Sequence, residues 1–179
     1  MTKPFRDLGR PAPDEYLTGE PPYHDLLPPD GSVLNQLETG YLALRDLLLP
    51  LSEQQLQYRY APDKWDIRET VIHLLDTERV FAYRALRFAR NDQAALKGYD
   101  HLAFTKEARP VKRSMANLME EYEAVRYATI ALFNGLDDLA LLRRGVANGN
   151  TASVRGIAYH IAGHELHHKG LLQKLYLRQ

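Results

Sequence analysis

Four of the seven histidines in this sequence fall within nine residues near its end. They are His160, His164, His167 and His168, in the segment YHIAGHELHHKG. Three of them recur every fourth residue, so on an ideal helix each is rotated only about 40° from the one before. Two imidazoles at i and i+4 on one helical face can bind a single divalent ion, a spacing that metalloproteases use. The pattern therefore predicts a metal site on the last helix of the chain.

A further ligand must come from another part of the chain, because one helix brings two histidines comfortably to one ion and a third poorly. The candidates are His24 in a proline-rich segment, His73 in the middle of an apolar helix and His101 in a connection. A rigid helix holds a ligand better than a loop does, which favours His73. We therefore predict a site of His73, His164 and His168. Three neutral imidazoles suit Zn²⁺ or Ni²⁺ and leave one coordination position open for water or substrate.

Several polar residues near these ligands are candidates for supporting roles. His160 lies one turn before the predicted pair, and His167 competes with its neighbour as a ligand. On the second helix, Asp76 is a candidate for orienting a ligand, and Arg84 or Arg87 for binding an anionic substrate. The simpler interpretation of that helix face is solvated surface with ion pairs between turns. The sequence alone leaves both interpretations open.

Residues 164–168 also match the H-E-x-x-H pattern of zinc peptidases, in which Glu165 would be the general base. Those enzymes take their third ligand from further along the chain, and no His, Asp or Glu occurs in the eleven residues after His168. We therefore rank the peptidase hypothesis below a site built between helices. In the latter, Glu165 is expected to turn toward a flank of the helix and to pair with Lys169.

Four amphipathic segments predict four long helices. Apolar residues recur at three- and four-residue spacings over 32–49, 66–90, 114–135 and 153–177. Asp66, followed three positions later by Glu69, matches a capping box at the start of the second helix. Glu78 falls on the apolar stripe of that helix, so it is expected to pair with an arginine inside the protein. No segment alternates convincingly with period two, and the predicted fold is therefore all-α, a four-helix bundle.

Composition excludes several other classes of protein. Seven of the ten prolines lie in the first thirty residues, which predicts an extended arm (1–30) before the bundle domain (31–179). Basic and acidic residues number 23 each, so electrostatics gives no argument for a nucleic-acid partner. The absence of cysteine excludes disulfides and thiolate ligands. No apolar run approaches the ~20 residues of a membrane span, and no signal peptide is visible, so we expect a cytoplasmic protein.

The long motifs of this chain resemble those of one known family. The block KWDIRETVIHLLDTERVFAYRALRFARND, the GYD after it, and the stretches RRGVANG and SVRGIAYHIAGHELHHKGLLQKLYL are similar to the DinB-like superfamily of four-helix metal-binding proteins, the damage-inducible and YfiT-related group. The resemblance covers most of the chain from residue 32. It implies an up-down-down-up bundle, ligands at His73, His164 and His168, bound nickel or zinc, and a homodimer. Because some relatives are thiol-dependent enzymes, it also implies a low-molecular-weight thiol as a cofactor.

Two hypotheses from different classes account for these features. The first is a metal-dependent enzyme, a hydrolase or thiol S-transferase that acts on a small molecule through an open three-histidine site. The second is a non-catalytic, metal-binding stress-response protein in which the ion only ties the second helix to the fourth. Coordination separates them, since an open site beside a pocket favours chemistry and a closed site with four protein ligands favours structure.

Overall fold

The computed structural model describes residues 5–109 and 113–178, and it is mostly helical. In chain order the helices are α1 (Val33–Leu48), α2 (Glu53–Leu56), α3 (Ile67–Ala89), α4 (His101–Glu107), α5 (Met115–Asn134), α6 (Asp138–Leu142) and α7 (Val154–Leu171). Four are long, and they agree with the four predicted segments. The last predicted segment continues past α7 as a π-helical turn over Leu172–Leu177. In the described part of the chain, no helix combines the length and apolarity that a bilayer crossing requires.

Three of the long helices begin at a residue whose side chain accepts a hydrogen bond from the first turn. Asp66 accepts from the amide of Glu69 at 2.9 Å, while the Asp66 amide donates to the Glu69 carboxylate at 2.8 Å. This confirms the predicted capping box at α3. Ser114 and Ser153 cap α5 and α7 in the simpler one-bond form. The starts of α3 and α7, the helices that carry the histidines, are therefore fixed locally.

A short hairpin that sequence analysis did not predict leads into α7. Its strands are β1 (Arg144–Ala147) and β2 (Asn150–Ser153), paired antiparallel. Asn148 and Gly149 connect them with φ of 52° and 75°, the conformation of a two-residue hairpin turn. Strands of four residues are too short to show an alternating pattern.

A buried ion network occupies the centre of the bundle, between two apolar clusters. Arg126 on α5 is fully buried, and its guanidinium donates to Glu78 at 2.8 Å and to Glu165 at 2.6 Å. It also donates to the backbone carbonyl of Leu37 on α1. One side chain thereby links all four long helices, and the predicted arginine partner of Glu78 is confirmed.

The position of Glu165 corrects the expectation from sequence. Instead of turning to a flank to pair with Lys169, its carboxylate is buried and accepts a further hydrogen bond from the Tyr122 hydroxyl at 2.6 Å. Gly40 on α1 makes room for it, since a side chain there would overlap the carboxylate. The helical-wheel argument failed because Arg126, 39 residues earlier in the chain, stabilises a charge on a face that would otherwise be apolar.

Residues 5–32 contain no α-helix or strand, only two short 3₁₀ turns, Pro13–Glu15 and Tyr23–Leu26. This segment packs closely on α7. Gly156 and Gly163 face backbone carbonyls of the segment, at Glu15 and Tyr23, and a side chain at either glycine would clash. The Glu15 carboxylate also pairs with Arg155, with Nε and Oε1 2.8 Å apart. That partner lowers the pKa of Glu15 to about 2.

Replacing Arg126 with Met should lower the free energy of unfolding by about 3–5 kcal/mol, because two buried carboxylates lose their cation. Urea denaturation followed by circular dichroism measures this cost. The matched control is Arg45→Met, which removes a pair with Asp46 on the surface. Its denaturation midpoint should barely move. Equal midpoints for the two variants would contradict a central role for the Arg126 network.

Glu15→Gln should destabilise the protein in a pH-dependent way. The folded-state pKa, about 2, lies below the ordinary value of 4.5, so this carboxylate contributes stability above pH 4.5 and loses it as the pH falls through 2. The variant should therefore be less stable by about 1–2 kcal/mol at neutral pH, with the difference shrinking on acidification. Urea denaturation at several pH values tests this. Asp14→Asn, on the exposed pair with Arg144, is the control, and a pH-independent cost for Glu15→Gln would refute the assignment.

Candidate metal centre

Three imidazoles from two helices meet between α3 and α7. Nε2 of His164 lies 3.1 Å from Nε2 of His73 and 3.1 Å from Nε2 of His168. The three ligand atoms all lie within 4.8 Å of one another. Among the histidines and acidic residues that the structure describes, His73, His164 and His168 form the group able to hold a metal ion. The structure thus brings together the three residues that spacing had selected.

The separation of these nitrogens fits a shared cation. Ligand nitrogens about 2.0–2.1 Å from a tetrahedral zinc ion lie about 3.3 Å apart, close to the 3.1 Å observed. Hydrogen bonding alone fits less well. A neutral imidazole nitrogen offers either one proton or one lone pair, yet Nε2 of His164 has two short neighbours. A single ion among the three nitrogens would satisfy all of them together.

Burial keeps the three imidazoles in the neutral form that binds metals. His73 and His164 are buried, and His168 is half-buried. Loss of solvation is the main cause that lowers the pKa of His73 to about 4 and that of His168 to about 3, with neighbouring histidines adding to it. The pKa of His164 also falls well below its ordinary value, for the same reason. Near neutral pH, each ring therefore carries a free lone pair.

Side chains that sequence analysis missed orient and enclose His73. Thr77, one turn further along α3, places Oγ1 3.5 Å from Nδ1 of His73 and 2.8 Å from the Tyr99 hydroxyl. The ring of Trp65 packs at 4.7 Å from the ring of His73. The i+4 spacing of Thr77 from His73 was visible in the sequence. Tyr99 lies in the connection between α3 and α5, where no periodicity marks it.

The cluster lines a cleft of about 470 Å³ between α3, α7 and the segment that precedes α1. Most of the other lining side chains are aromatic, histidine or charged. They are Glu20, Tyr23, Trp65, Phe81, Arg84, Tyr99, His101, His160 and His167, with Thr77, Pro21 and Asn148. A cleft of this volume admits a small molecule to the face of the cluster.

Comparison with known proteins shows which family and which solved structure this chain is similar to. A family model of the DinB superfamily matches residues 36–172. The chain belongs to the DinB superfamily. Among solved structures it matches YfiT from Bacillus subtilis, with a TM-score of 0.75 and 18% identity over 82% of this chain and 85% of that one. YfiT is described as a probable metal-dependent hydrolase with an unusual four-helix bundle topology. The match confirms the predicted four-helix bundle. A search of curated proteins found no match.

Of the four remaining histidines of this DinB-superfamily chain, three lie near the cluster and one lies apart from it. His160 is buried in the cleft wall, where its ring stacks parallel to that of His164 at 5.9 Å. His167 is half-buried against Tyr23, with ring centroids 5.0 Å apart. The exposed ring of His101 lies 5.4 Å from that of His73. His24 stacks on a tyrosine, outside both the cluster and the cleft.

Of the three polar candidates on α3 of the DinB bundle, only one lies in the cleft. Arg84 lines the cleft. Asp76 does not: it lies about 60° from His73 around the helix and pairs with Arg79 at 3.7 Å. Its pKa is raised by burial. Arg87 is bound at the far end of the helix to Asp92 and to a tyrosine hydroxyl. Sequence spacing could not separate these three, because it does not reveal the ion pairs that hold Asp76 and Arg87.

The same geometry excludes the peptidase arrangement in this DinB bundle. A general base of the H-E-x-x-H type must reach the space in front of the metal ligands. Glu165 instead points away from His164 into the bundle centre, where Arg126 and Tyr122 bind both of its oxygens. Its carboxylate therefore has a structural role.

Proposed function

We propose that this chain is a metal-dependent enzyme, of the hydrolase or thiol S-transferase type, that holds a divalent ion with His73, His164 and His168. The convergence of three Nε2 atoms in the wall of a cleft, with that of His164 3.1 Å from each of the other two, carries the proposal. When bound, such an ion supplies Lewis acidity, which activates water or a thiol as a nucleophile.

The openness of the site favours catalysis over a purely structural ion. A structural zinc site is closed by four protein ligands. Within the described residues, the group of close ligand atoms contains three histidines and no carboxylate. His101 lies nearby but does not belong to that group. A free coordination position would therefore face the cleft, where a small-molecule substrate can bind.

The chain's own side chains would hold the site in shape around that position. The Thr77 hydroxyl can accept a hydrogen bond from Nδ1–H of His73, which leaves the lone pair of Nε2 in that ring to serve as the ligand. Tyr99 bonds to the same hydroxyl, and burial raises its pKa, so it stays protonated as a donor. Trp65 and Tyr23 pack against the rings of the ligands and exclude water from their flanks.

Nickel and zinc both suit this ligand set, because borderline divalent ions prefer imidazole nitrogen. The S-transferase form of the proposal needs a low-molecular-weight thiol from solution, since the chain contains no cysteine. We also propose a homodimer, from the family resemblance, and a cytoplasmic location, as expected from the sequence. The alternative is a non-catalytic stress-response protein, favoured by the burial of His73 and His164, in which the ion ties α3 to α7.

We also propose the up-down-down-up order of helices and the division into an arm (1–30) and a bundle (31–179). Two contacts support a common direction for α3 and α5: Arg68 bonds to the carbonyl of Arg113, and Arg79 pairs with Glu121 further along both helices. Opposite directions for α3 and α7 are supported by His73 facing His164 while Phe81, further along α3, faces the earlier His160.

His164→Ala should lower the metal content at least tenfold, because it removes the nitrogen that lies between the other two. Elemental analysis of protein purified without added metal, and again after loading with Zn²⁺ or Ni²⁺, measures this. The matched control is His101→Ala, which removes an imidazole of the same cleft and should leave the metal content unchanged.

Full occupancy in His164→Ala, or equal loss in His101→Ala, would show that the ligand set is wrong. A screen of ester hydrolysis and thiol transfer on metal-loaded and metal-free protein then separates the two hypotheses. The enzyme hypothesis predicts an activity that returns with the metal. A metal that only raises the melting temperature supports the structural alternative.

A further inference from the structure

Arg84 is a buried cation in the cleft without a partner in the part of the chain that the structure describes. Three arginines of the described chain are buried, and two of them pair with carboxylates: Arg68 with Glu53 and Arg126 with Glu78 and Glu165. Arg84, with 6% of its surface exposed, has no carboxylate within 4.0 Å and no hydrogen-bond acceptor among the described residues. Burial of a charge without a partner is costly, and it lowers the pKa of this guanidinium.

Aromatic rings flank the guanidinium of Arg84 and leave its edge free. Its Cζ lies 4.7 Å from the centroid of Phe81 and 6.0 Å from that of Tyr99. Such contacts stabilise a cation but satisfy none of its five N–H donors. A planar guanidinium with free N–H groups at its edge binds an oxyanion in a two-pronged manner.

Arg84 belongs to the same face of α3 as the metal cluster. It follows His73 by eleven residues, so on an ideal helix the two are rotated by only about 20° and lie about 16 Å apart along the axis. Side chains on a helix lean toward its N-terminus, which carries the guanidinium back toward His73. Phe81 bridges the remaining distance, since its ring packs at 4.4 Å on His160.

We propose that Arg84 is the anion-binding residue of this cleft and takes the carboxylate of a small organic acid whose other end reaches the three histidines. The reacting end of that acid rests on the function proposed above, whereas its binding to Arg84 does not. Glu20, exposed at the mouth of the cleft, adds a negative charge there. It disfavours a doubly charged ligand, so a carboxylate binds better than a phosphate.

The single tryptophan of the chain, Trp65, reports binding, because it lines the cleft. Its fluorescence is titrated with phenylacetate, with phenylacetamide as an uncharged probe of the same shape, and with inorganic phosphate. Phenylacetate should bind more tightly than either. Arg84→Gln should weaken phenylacetate at least tenfold, about 1.4 kcal/mol, and leave phenylacetamide unchanged. Arg84→Lys keeps the charge without the planar fork, so its affinity for phenylacetate should lie between those of the unmodified protein and of Arg84→Gln.

Arg87→Gln is the matched control, because it removes a charge from the same helix outside the cleft. It should bind every probe as the unmodified protein does. Unfolding curves establish that each variant folds. If Arg84→Gln does not fold, the unmodified protein and Arg84→Lys decide the question. The quantity compared is then the ratio of phenylacetate to phenylacetamide affinity in each.

Several results would overturn this inference. They are equal binding of phenylacetate and phenylacetamide, unchanged phenylacetate affinity in Arg84→Gln, tighter binding of phosphate than of phenylacetate, and no binding of phenylacetate up to about 10 mM. Metal content, measured on the same samples, keeps this test separate from the proposed function. Normal metal content with charge-independent binding refutes the role of Arg84 alone, and a metal-free protein that binds phenylacetate through Arg84 refutes only the metal site.

Discussion

The buried guanidinium of Arg126 is the constraint on which the candidate site depends. It binds Glu78 on α3 and Glu165 on α7, and each carboxylate directly follows a residue of the site, Thr77 or His164. Neighbours in a helix are rotated by about 100°, so holding the glutamates at the bundle centre turns Thr77 and His164 toward the space between the helices. The ion network therefore sets the rotation of the two helices that supply all three imidazoles.

Burial has opposite consequences for the cations and the histidines of this protein. A histidine that loses solvation becomes neutral, and three neutral rings whose ligand atoms lie within 4.8 Å of one another can form a ligand set. An arginine that loses solvation stays charged and needs an anion. Arg126 has two carboxylates from its own chain, while Arg84 faces the cleft without one. Loss of solvation in the cleft wall therefore favours a metal at one end of the cleft and, as proposed above, an acid at the other.

Local spacing predicted much of this arrangement. The four long helices, the capping box at Asp66 and the meeting of His73 with His164 and His168 all follow from periodicity and from the demands of a shared ligand point. The location of Glu165 did not, because a partner distant in sequence decides it. Tyr99 and Trp65 were missed for a related reason: they flank helices, and only the packing of connections on the bundle brings them to the cleft.

The central claim is that three Nε2 atoms from two helices share one divalent ion. Anomalous X-ray diffraction from crystals of the metal-loaded protein, recorded at the absorption edge of zinc or nickel, tests it most directly. The account predicts one strong anomalous peak per chain, about 2.0–2.1 Å from Nε2 of His73, His164 and His168, with the remaining coordination directed into the cleft. A peak bound by other residues, or a fully loaded protein with no peak at these histidines, would contradict it.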